Sequence, residues 1–299
     1  MTRCPNTFLV GAPKCATTAI STWLSTHPEV FMARRRDLHF FGSDLQFRAP
    51  RIDEATYLSH FEDAGDFTCI AESSVWYLYS QEAAAEIARF QPNARIVIAV
   101  RNPLEVIAAH HSQMRLNGLG DEDIEDLEEA LNAETERRRG QRIPDSCSFP
   151  NALLYRDVVR FSEQIGRFME RFPREQIHLV LHDDLTQDPE TTYRALLTFL
   201  GVDNTQQPSF DAINPNQEVR SEPLRQLVGA TPQSLKSALP NTIRMPMRQL
   251  LRRVNQRTTP RQPISRDLRR DLIRELTPEI NALTKLIERD LTHWMTESS

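Results

Sequence analysis

A short segment near the amino terminus combines residue types that can bind an oxyanion. It reads Phe8-Leu9-Val10-Gly11-Ala12-Pro13-Lys14-Cys15-Ala16-Thr17-Thr18. The apolar run at its start ends at Gly11 and Pro13, which favour a turn. Ile20, Trp23 and Leu24 then recur at helical spacing. The pattern predicts a strand, a loop and a helix.

The predicted loop is suited to a phosphate or sulfate group. A loop that enters a helix directs unpaired backbone N–H groups at its mouth, and the positive end of the helix dipole favours an anion there. Lys14 adds a cation, and Thr17 and Thr18 add hydroxyl donors. An ordinary strand-to-helix turn with an exposed lysine is the alternative interpretation of this segment alone.

Loops that bind nucleoside triphosphates, G-x-x-x-x-G-K-[ST], use a similar geometry. The order differs here, because Lys14 lies three residues before Thr17 and no second glycine precedes it. The segment instead resembles the 5′-phosphosulfate loop, P-K-[SCA]-G-T-[ST], of sulfotransferases that use 3′-phosphoadenosine 5′-phosphosulfate (PAPS). The residues that match are Pro13, Lys14, Cys15, Thr17 and Thr18, and Ala16 stands where glycine is usual. The resemblance implies that these six residues hold the donor.

A second segment contains candidate acid–base residues. Arg34-Arg35-Arg36-Asp37-Leu38-His39-Phe40-Phe41 resembles the K-E-x-H-F-F segment of the same superfamily. The resemblance implies that Asp37 removes the proton of the acceptor. His39 would share its face if the segment is extended, and its ordinary pKa suits proton transfer near neutrality. Either residue is a candidate base, and packing among its neighbours would make His39 structural instead.

A charged residue after a buried strand indicates a further anion site. The run 96–100 (Ile-Val-Ile-Ala-Val) is typical of a parallel strand buried on both faces, and Arg101-Asn102-Pro103 follows it. Open α/β sheets bind their ligands at the carboxyl ends of the strands. The sequence R-[ND]-P also resembles the superfamily, which implies that Arg101 holds the 3′-phosphate of the donor.

In that superfamily a serine eight residues after the arginine shares the 3′-phosphate. Ala109 stands at this position, so the resemblance is incomplete. Ser112 lies one helical turn further along the same face. We expect Ser112 to replace the missing serine, or else one of the neighbouring histidines, His110 and His111.

Two further segments resemble the superfamily more loosely. Glu72-Ser73-Ser74-Val75-Trp76-Tyr77-Leu78 is similar to E-K-[ST]-P-x-Y-L, which lines the acceptor pocket, with Ser73 in place of lysine. Phe40, Trp76 and Tyr77 are therefore candidate acceptor contacts, although these rings could equally belong to the core. The segment 214–221 is similar to the loop that folds over the nucleotide, which implies that Arg220 and Ser221 bind it.

Buried strands that alternate with amphipathic helices predict an α/β fold with a mainly parallel central sheet, flanked by helices on both faces. The strand-loop-helix at the amino terminus is of the P-loop kind. We expect one domain over residues 1–299, with a nucleotide-binding core at about 5–221 and an arginine-rich helical extension at about 222–299. Helices are predicted at 155–172, 245–254 and 266–292, and the acidic stretch 120–140 as a lid or a substrate-binding loop.

Composition narrows the possible partners. The net charge of −5 disfavours nucleic acid, and no apolar run approaches the roughly 18–20 residues that span a bilayer. The first strand begins too early to leave room for a signal peptide, so we expect a cytoplasmic protein. Four scattered cysteines lack the spacing of metal ligands. We expect no metal and no membrane partner, and the sequence does not determine the oligomeric state.

The resemblance implies direct in-line transfer of the sulfuryl group of PAPS to a hydroxyl or amine, with a small molecule as the expected acceptor. Lys14 would stabilise the charge that develops on the bridging oxygen of the leaving nucleotide. A metal-dependent kinase or nucleoside triphosphatase remains an alternative. A catalytically inactive nucleotide-binding protein is another, because Ala16, Ser73 and Ala109 depart from the superfamily's pattern.

Overall fold

The computed structural model describes residues 4–116, 120–210 and 264–296, together with the backbone of 217–219 and 256–258. The chain forms two compact units. The first comprises Met1–Ile107, Arg156–Asn214 and Ser265–Ser299, and the second comprises Ala108–Tyr155 and Pro215–Ile264. The expectation of a single domain over residues 1–299 stays a prediction.

A five-stranded parallel sheet is the centre of the first unit. Its strands are β1 (Thr7–Gly11), β2 (Val30–Met32), β3 (Cys69–Ser73), β4 (Arg95–Val100) and β5 (Ile177–Leu181). They lie in the order β2-β3-β1-β4-β5, and every neighbouring pair is parallel. Strands β1 and β3 are buried along their whole length, as expected for strands covered on both faces. The predicted parallel α/β fold is confirmed.

The strand order locates the point where ligands bind in such sheets. From β1 the chain continues to β2 and β3 on one side, and then crosses to β4 and β5 on the other. Strand β1 therefore borders β4 at the point where the direction of winding reverses. The crevice outside the carboxyl ends of these two strands is the usual ligand site of an open α/β sheet.

Helices surround the sheet and connect its strands. In chain order they are α1 (Thr17–Ser25), α2 (Glu54–Ser59), α3 (Ala83–Phe90), α4 (Pro103–Leu116), α5 (Leu127–Asn132), α6 (Glu134–Arg137), α7 (Tyr155–Val158), α8 (Phe161–Met169), α9 (His182–Gln187), α10 (Pro189–Leu200) and α11 (Arg266–Ile287). Short 3₁₀ helices cover Glu62–Ala64, Pro150–Leu153, Arg174–Gln176 and Thr292–Met295. Within the described ranges no helix has the length and apolar character that crossing a membrane requires.

Local sequence determines the ends of α10. The Asp188 carboxylate accepts the N–H of Thr191 at 3.0 Å, and Pro189 follows as the first helical residue. Gly201 ends the helix with φ 66°, a left-handed conformation that glycine adopts without a steric penalty.

The single helix predicted at 155–172 is wrong. The chain leaves the helical conformation at Arg160 (ψ 59°), which separates α7 from α8. The reason lies on α11, where the Glu279 carboxylate accepts both the N–H and the hydroxyl of Ser162, at 2.6 and 2.7 Å. This distant carboxylate satisfies the amino terminus of α8. Helix α11 confirms the helix predicted at 266–292, although it ends at Ile287. The helix predicted at 245–254 lies outside the described residues.

In the second unit, the stretch that was predicted to be a lid or a substrate-binding loop contains α5 and α6 and a buried ion pair. Glu122 accepts a hydrogen bond from Arg137 at 2.7 Å, and both side chains are fully buried. The Tyr155 hydroxyl donates to the other oxygen of Glu122 at 2.6 Å. Glu122 is therefore a structural residue of this unit, and a lid role for 120–140 stays a prediction. The unit also contains the antiparallel strands β6 (Gln217–Val219) and β7 (Gln256–Thr258).

Candidate anion and acid–base site

The loop between β1 and α1 has the conformation expected of an anion-binding loop. Gly11 ends β1 and Thr17 begins α1. The N-cap residue of α1, Ala16, provides no side-chain cap, and the first turn of the helix contains no acidic residue. The N–H groups of that turn and the helix dipole therefore remain suited to an external anion.

The backbone conformation at Ala16 is one that favours glycine, the residue usual at this position of the 5′-phosphosulfate loop. Ala16 is the N-cap residue of α1 and has φ 63°, in the left-handed region. Glycine adopts this region freely, whereas a β-carbon makes it unfavourable. Lys14 also has a positive φ, 65°. Pro13, Cys15 and Thr17 are buried, and the side chains of Lys14 and Thr18 are partly exposed.

Arg101 lies close to the same loop. The N–H of Ala12 donates to the carbonyl oxygen of Ala99 at 2.7 Å, which holds the loop against the end of β4. Burial raises the pKa of the Cys15 thiol to about 12, although the charges of Arg101 and Lys14 both act to lower it. Both cations therefore lie near one sulfur atom. At neutral pH this thiol is protonated, which argues against a nucleophilic role for Cys15.

Arg101 is paired with a carboxylate that the sequence analysis did not single out. Its Nε donates to Glu105 Oε2 at 2.7 Å, and Nη2 lies 2.5 Å from the same oxygen. The Arg101 side chain is 16% exposed and that of Glu105 41%. The spacing of four residues at the start of a helix was the available signal. A phosphate that binds Arg101 would compete with a half-exposed partner.

Of the other predicted ligands of the 3′-phosphate, Ser112, His110 and His111 belong to the second unit. Ser112 is half-buried on the part of α4 that belongs to the second unit. In that unit the Nε2 atoms of His110 and His111 lie 2.9 and 3.0 Å from the carbonyl oxygens of Ala152 and Ile124. Burial lowers the pKa of His111, so this ring is neutral near pH 7. The role of Ser112 stays a prediction, and Arg220 and Ser221 lie outside the described residues.

The segment that contains the candidate bases, residues 37–41, is not extended. Asp37 has φ 56° and His39 has φ 50°, both in the left-handed region. The alternation of faces that was assumed for an extended segment therefore does not apply. Such conformations cost about 1–3 kcal/mol each for residues other than glycine, and they are typical of functional sites. We refer to residues 37–41 as the acid–base segment.

The surroundings of His39 keep its ring neutral. Burial lowers the pKa of His39, the charge of Asp37 opposes this effect, and the charge of Arg35 adds to it. The ring stacks on Phe47 with centroids 4.2 Å apart. Its Nδ1 atom is buried without a hydrogen-bond partner among the described residues. A neutral imidazole with an uncommitted nitrogen can accept a proton.

Asp37 contacts the segment that follows β3. Its N–H donates to the carbonyl oxygen of Ser73 at 2.8 Å, and its Oδ1 accepts the N–H of Val75 at 3.3 Å. Both candidate bases therefore lie at the carboxyl end of β3, the neighbour of β1 in the sheet.

The aromatic residues predicted to contact the acceptor are mostly core residues. Tyr77 is fully buried and Trp76 is 9% exposed. Phe40 is partly exposed, but one face of its ring stacks on Tyr57 with centroids 4.2 Å apart. Burial therefore argues against direct acceptor contacts by Trp76 and Tyr77. The sequence left both interpretations open, because period and residue type do not distinguish a pocket wall from a core.

A buried carboxylate, Glu72, lies beneath the acid–base segment, and the sequence analysis gave it no role. It is 1% exposed at the end of β3 and accepts hydrogen bonds from three hydroxyl groups. Burial raises its pKa, and the hydroxyl donors oppose that shift. Its position at the end of a buried strand is the same signal that indicated Arg101.

Among the described residues no group of three or more His, Cys, Asp and Glu side chains is placed to hold a metal ion. The candidate site consists of two cations, Lys14 and Arg101, near the β1–β4 border and of two candidate bases, Asp37 and His39, near the end of β3.

Comparison with known proteins shows that the chain is similar to sulfotransferases. The model of the sulfotransferase family matches residues 77–206, a stretch that includes Arg101 and begins after the Lys14 loop. The bifunctional heparan sulfate N-deacetylase/N-sulfotransferase 1 of Caenorhabditis briggsae is 22% identical over 208 residues, which are 66% of this chain and 23% of that protein. A membrane-associated sulfotransferase of Dictyostelium discoideum is 20% identical over 293 residues, covering 74% of this chain and 60% of that protein.

The crystal structure of a sulfotransferase from Alicyclobacillus acidocaldarius has the same fold. Its TM-score is 0.75 at 24% identity, and the match covers 98% of this chain and all of that one. Fold and site thus define an α/β protein with a candidate anion-binding loop at the switch point of its sheet. Over residues 77–206 the chain is similar to the sulfotransferase family, and its fold is that of a sulfotransferase. It spans less than two thirds of the length of the two curated relatives.

Proposed function

We propose that the protein transfers the sulfuryl group of PAPS to a hydroxyl or amine of an acceptor. The observation that carries this proposal is that the Lys14 loop is hydrogen-bonded to the end of β4, next to Arg101, at the border of β1 and β4. Two cations and an uncapped helix amino terminus suit a ligand with two separate anionic groups. Similarity to the sulfotransferase family supports the assignment of these groups to PAPS.

Different residues of the chain bind the donor and activate the acceptor. The loop N–H groups and Lys14 hold the 5′-phosphosulfate and stabilise the charge that develops on the leaving phosphate, an effect worth about 3–4 kcal/mol per donor in comparable sites. Arg101 exchanges Glu105 for the 3′-phosphate. When bound, PAPS supplies the sulfuryl group. Asp37 or His39 removes the proton of the acceptor, and the low pKa of His39 supports it as a base near neutrality.

The acceptor is proposed as a small molecule, and the reaction as independent of metal. Because a curated relative is named for heparan sulfate, an anionic oligosaccharide is the acceptor class to compare with it. A kinase or nucleoside triphosphatase is disfavoured by the order of residues around Lys14. Cytoplasmic localisation is likewise part of the proposal.

The decisive experiment measures thermal stability with adenosine 3′,5′-bisphosphate, with adenosine 5′-phosphate, and with ATP and magnesium. A ligand that binds only the folded state raises Tm in proportion to its affinity. We expect a shift specific to the bisphosphate, and a loss of about ten- to hundredfold in affinity in Lys14→Met and Arg101→Ala, because each removes a charged hydrogen-bond donor. Arg95→Ala is the matched control, since Arg95 lies at the opposite end of β4.

Turnover is then measured with PAPS in EDTA against a phenol, a primary amine and a heparan-type oligosaccharide. In Asp37→Asn and His39→Gln, the variant that loses kcat while it keeps the bisphosphate shift identifies the base. A larger shift with ATP and magnesium would overturn the proposal in favour of phosphoryl transfer. A bisphosphate shift without turnover on any acceptor would indicate a nucleotide-binding protein.

A further inference from the structure

The hydrogen bonds of Glu72 point towards the acid–base segment. The Tyr57 hydroxyl donates to Oε2 at 2.5 Å, and the hydroxyls of Ser74 and Tyr77 donate to Oε1 at 2.7 Å each. A buried carboxylate is costly unless donors surround it, and here all three donors are themselves buried. Each of these hydroxyl groups donates its one hydrogen bond to the carboxylate. The lone pairs of the hydroxyl oxygen are then free to accept hydrogen bonds from other groups.

Two of those oxygen atoms accept backbone N–H groups of the acid–base segment. Tyr77 Oη accepts the N–H of Phe40 at 3.0 Å and that of Phe41 at 3.3 Å. Ser74 Oγ accepts the N–H of His39 at 3.4 Å. Three consecutive N–H groups are thus held by hydroxyls whose orientation Glu72 determines. The described hydrogen bonds of Tyr57 include none to this segment.

Resting on the sulfuryl transfer proposed above, we infer that Glu72 is a positioning residue of the reaction. Through Ser74 and Tyr77 it holds the backbone of residues 39–41, and so places Asp37 and His39 for the acceptor. The left-handed conformations of Asp37 and His39 are less favourable than ordinary backbone, even though Asp and His tolerate them better than most residues, so hydrogen bonds to this segment help to maintain them. The loss of Ser74 or Tyr77 would leave N–H groups of the segment without an acceptor, whereas Tyr57 has no such link to it among the described hydrogen bonds.

The test compares two tyrosines that bond the same carboxylate. Tyr77→Phe removes a donor to Glu72 and the acceptor of two segment N–H groups, whereas Tyr57→Phe removes only a donor to Glu72. Both changes keep the ring, so the stacking of Tyr57 on Phe40 is retained. The deletion is chemically identical in the two variants, and they differ in the link to the segment.

The first readout needs no acceptor. NMR titration of His39 in the complete chain is expected to move up by about half a unit towards the ordinary pKa of about 6.5 in Tyr77→Phe, because a loosened segment is better solvated. Amide exchange at residues 39–41 is expected to be about tenfold faster. Ser74→Ala and Glu72→Gln should act in the same direction, since a carboxamide has one acceptor oxygen and its NH₂ group opposes a hydroxyl proton. Tyr57→Phe should leave both readouts as in the wild type.

The kinetic readout uses the acceptor identified by the turnover panel. We expect kcat to fall about ten- to hundredfold in Tyr77→Phe, because a displacement of about 1 Å can cost that much, with KM for PAPS changed less than about threefold. Equal shifts of the His39 titration in both tyrosine variants, or no shift in Tyr77→Phe, would overturn the inference. The failure of the proposed function is recognised separately, by the absence of a bisphosphate shift in the wild type.

Discussion

Ala16 differs by one methyl group from the glycine that is usual at this position of the 5′-phosphosulfate loop. Its φ of 63° is one that glycine adopts freely and that costs other residues about 1–2 kcal/mol. We therefore expect Ala16→Gly to raise the free energy of unfolding by about 1 kcal/mol, even though glycine gives the unfolded chain more conformational freedom. Urea unfolding at neutral pH measures the change.

Ala19, three residues further on and inside α1, is the matched control. The same substitution there should lower the free energy of unfolding by about 1 kcal/mol, because glycine is a poor helix former. If Ala16→Gly also destabilised the protein, the left-handed conformation of the loop would be wrong.

The residues of the candidate site were predictable to different degrees. Arg101 follows β4 directly and Lys14 lies three residues after β1, and the carboxyl ends of parallel strands meet at one edge of the sheet. The turned backbone at Asp37 and His39 was not predictable, because it depends on hydrogen bonds to residues about 35 positions away. For the same reason the burial of Tyr77 emerged only from the packing of the core.

Elements were predictable where their ends are determined locally. Helix α10 has a cap, a proline and a terminal glycine within its own sequence, whereas the break between α7 and α8 depends on Glu279 of α11. We expect Glu279→Ala to lower the free energy of unfolding by about 1–2 kcal/mol, because the N–H of Ser162 at the start of α8 loses its acceptor.

Asp271→Ala on the same helix is the control for Glu279. Asp271 pairs with the exposed Arg274, and such surface pairs contribute about 0–1 kcal/mol. Urea unfolding of the two variants should therefore give clearly different changes. Equal changes would mean that α11 stabilises the first unit by its apolar face alone.

For the whole molecule, periodicity and buried runs were sufficient to predict the parallel sheet. They could not give its order, because strand neighbours are set by contacts between distant segments. The strand order nevertheless creates the candidate site, because it places the loops after β1 and β4 side by side at the switch point. The two compact units were also not apparent, because no composition shift marks the ends of the inserted segment 108–155.

Buried histidines should make the whole protein less stable in acid. Burial lowers the pKa of His39 and His111, and burial together with the charge of Arg174 lowers that of His178 to about 4. A histidine with a lowered pKa in the folded state binds protons more tightly when unfolded. Its contribution to stability is complete above its ordinary pKa of about 6.5 and is lost as the pH falls towards the folded value. Glu72 acts in the opposite sense, because its raised pKa favours the fold at low pH.

His178 allows this balance to be tested. Its ring stacks on Phe199 beside β5, with centroids 5.1 Å apart, far along the chain from the candidate bases. We expect the free energy of unfolding to fall between pH 7 and pH 4, and His178→Gln, which cannot be protonated, to reduce that fall by about 2–3 kcal/mol, since each pKa unit corresponds to about 1.4 kcal/mol. Urea unfolding at pH 7, 5.5 and 4 measures both chains. An unchanged fall in His178→Gln would show that the ring is solvated in the folded state, and the acid sensitivity would then belong to other groups whose pKa the fold lowers, such as His39, His111 and Glu122.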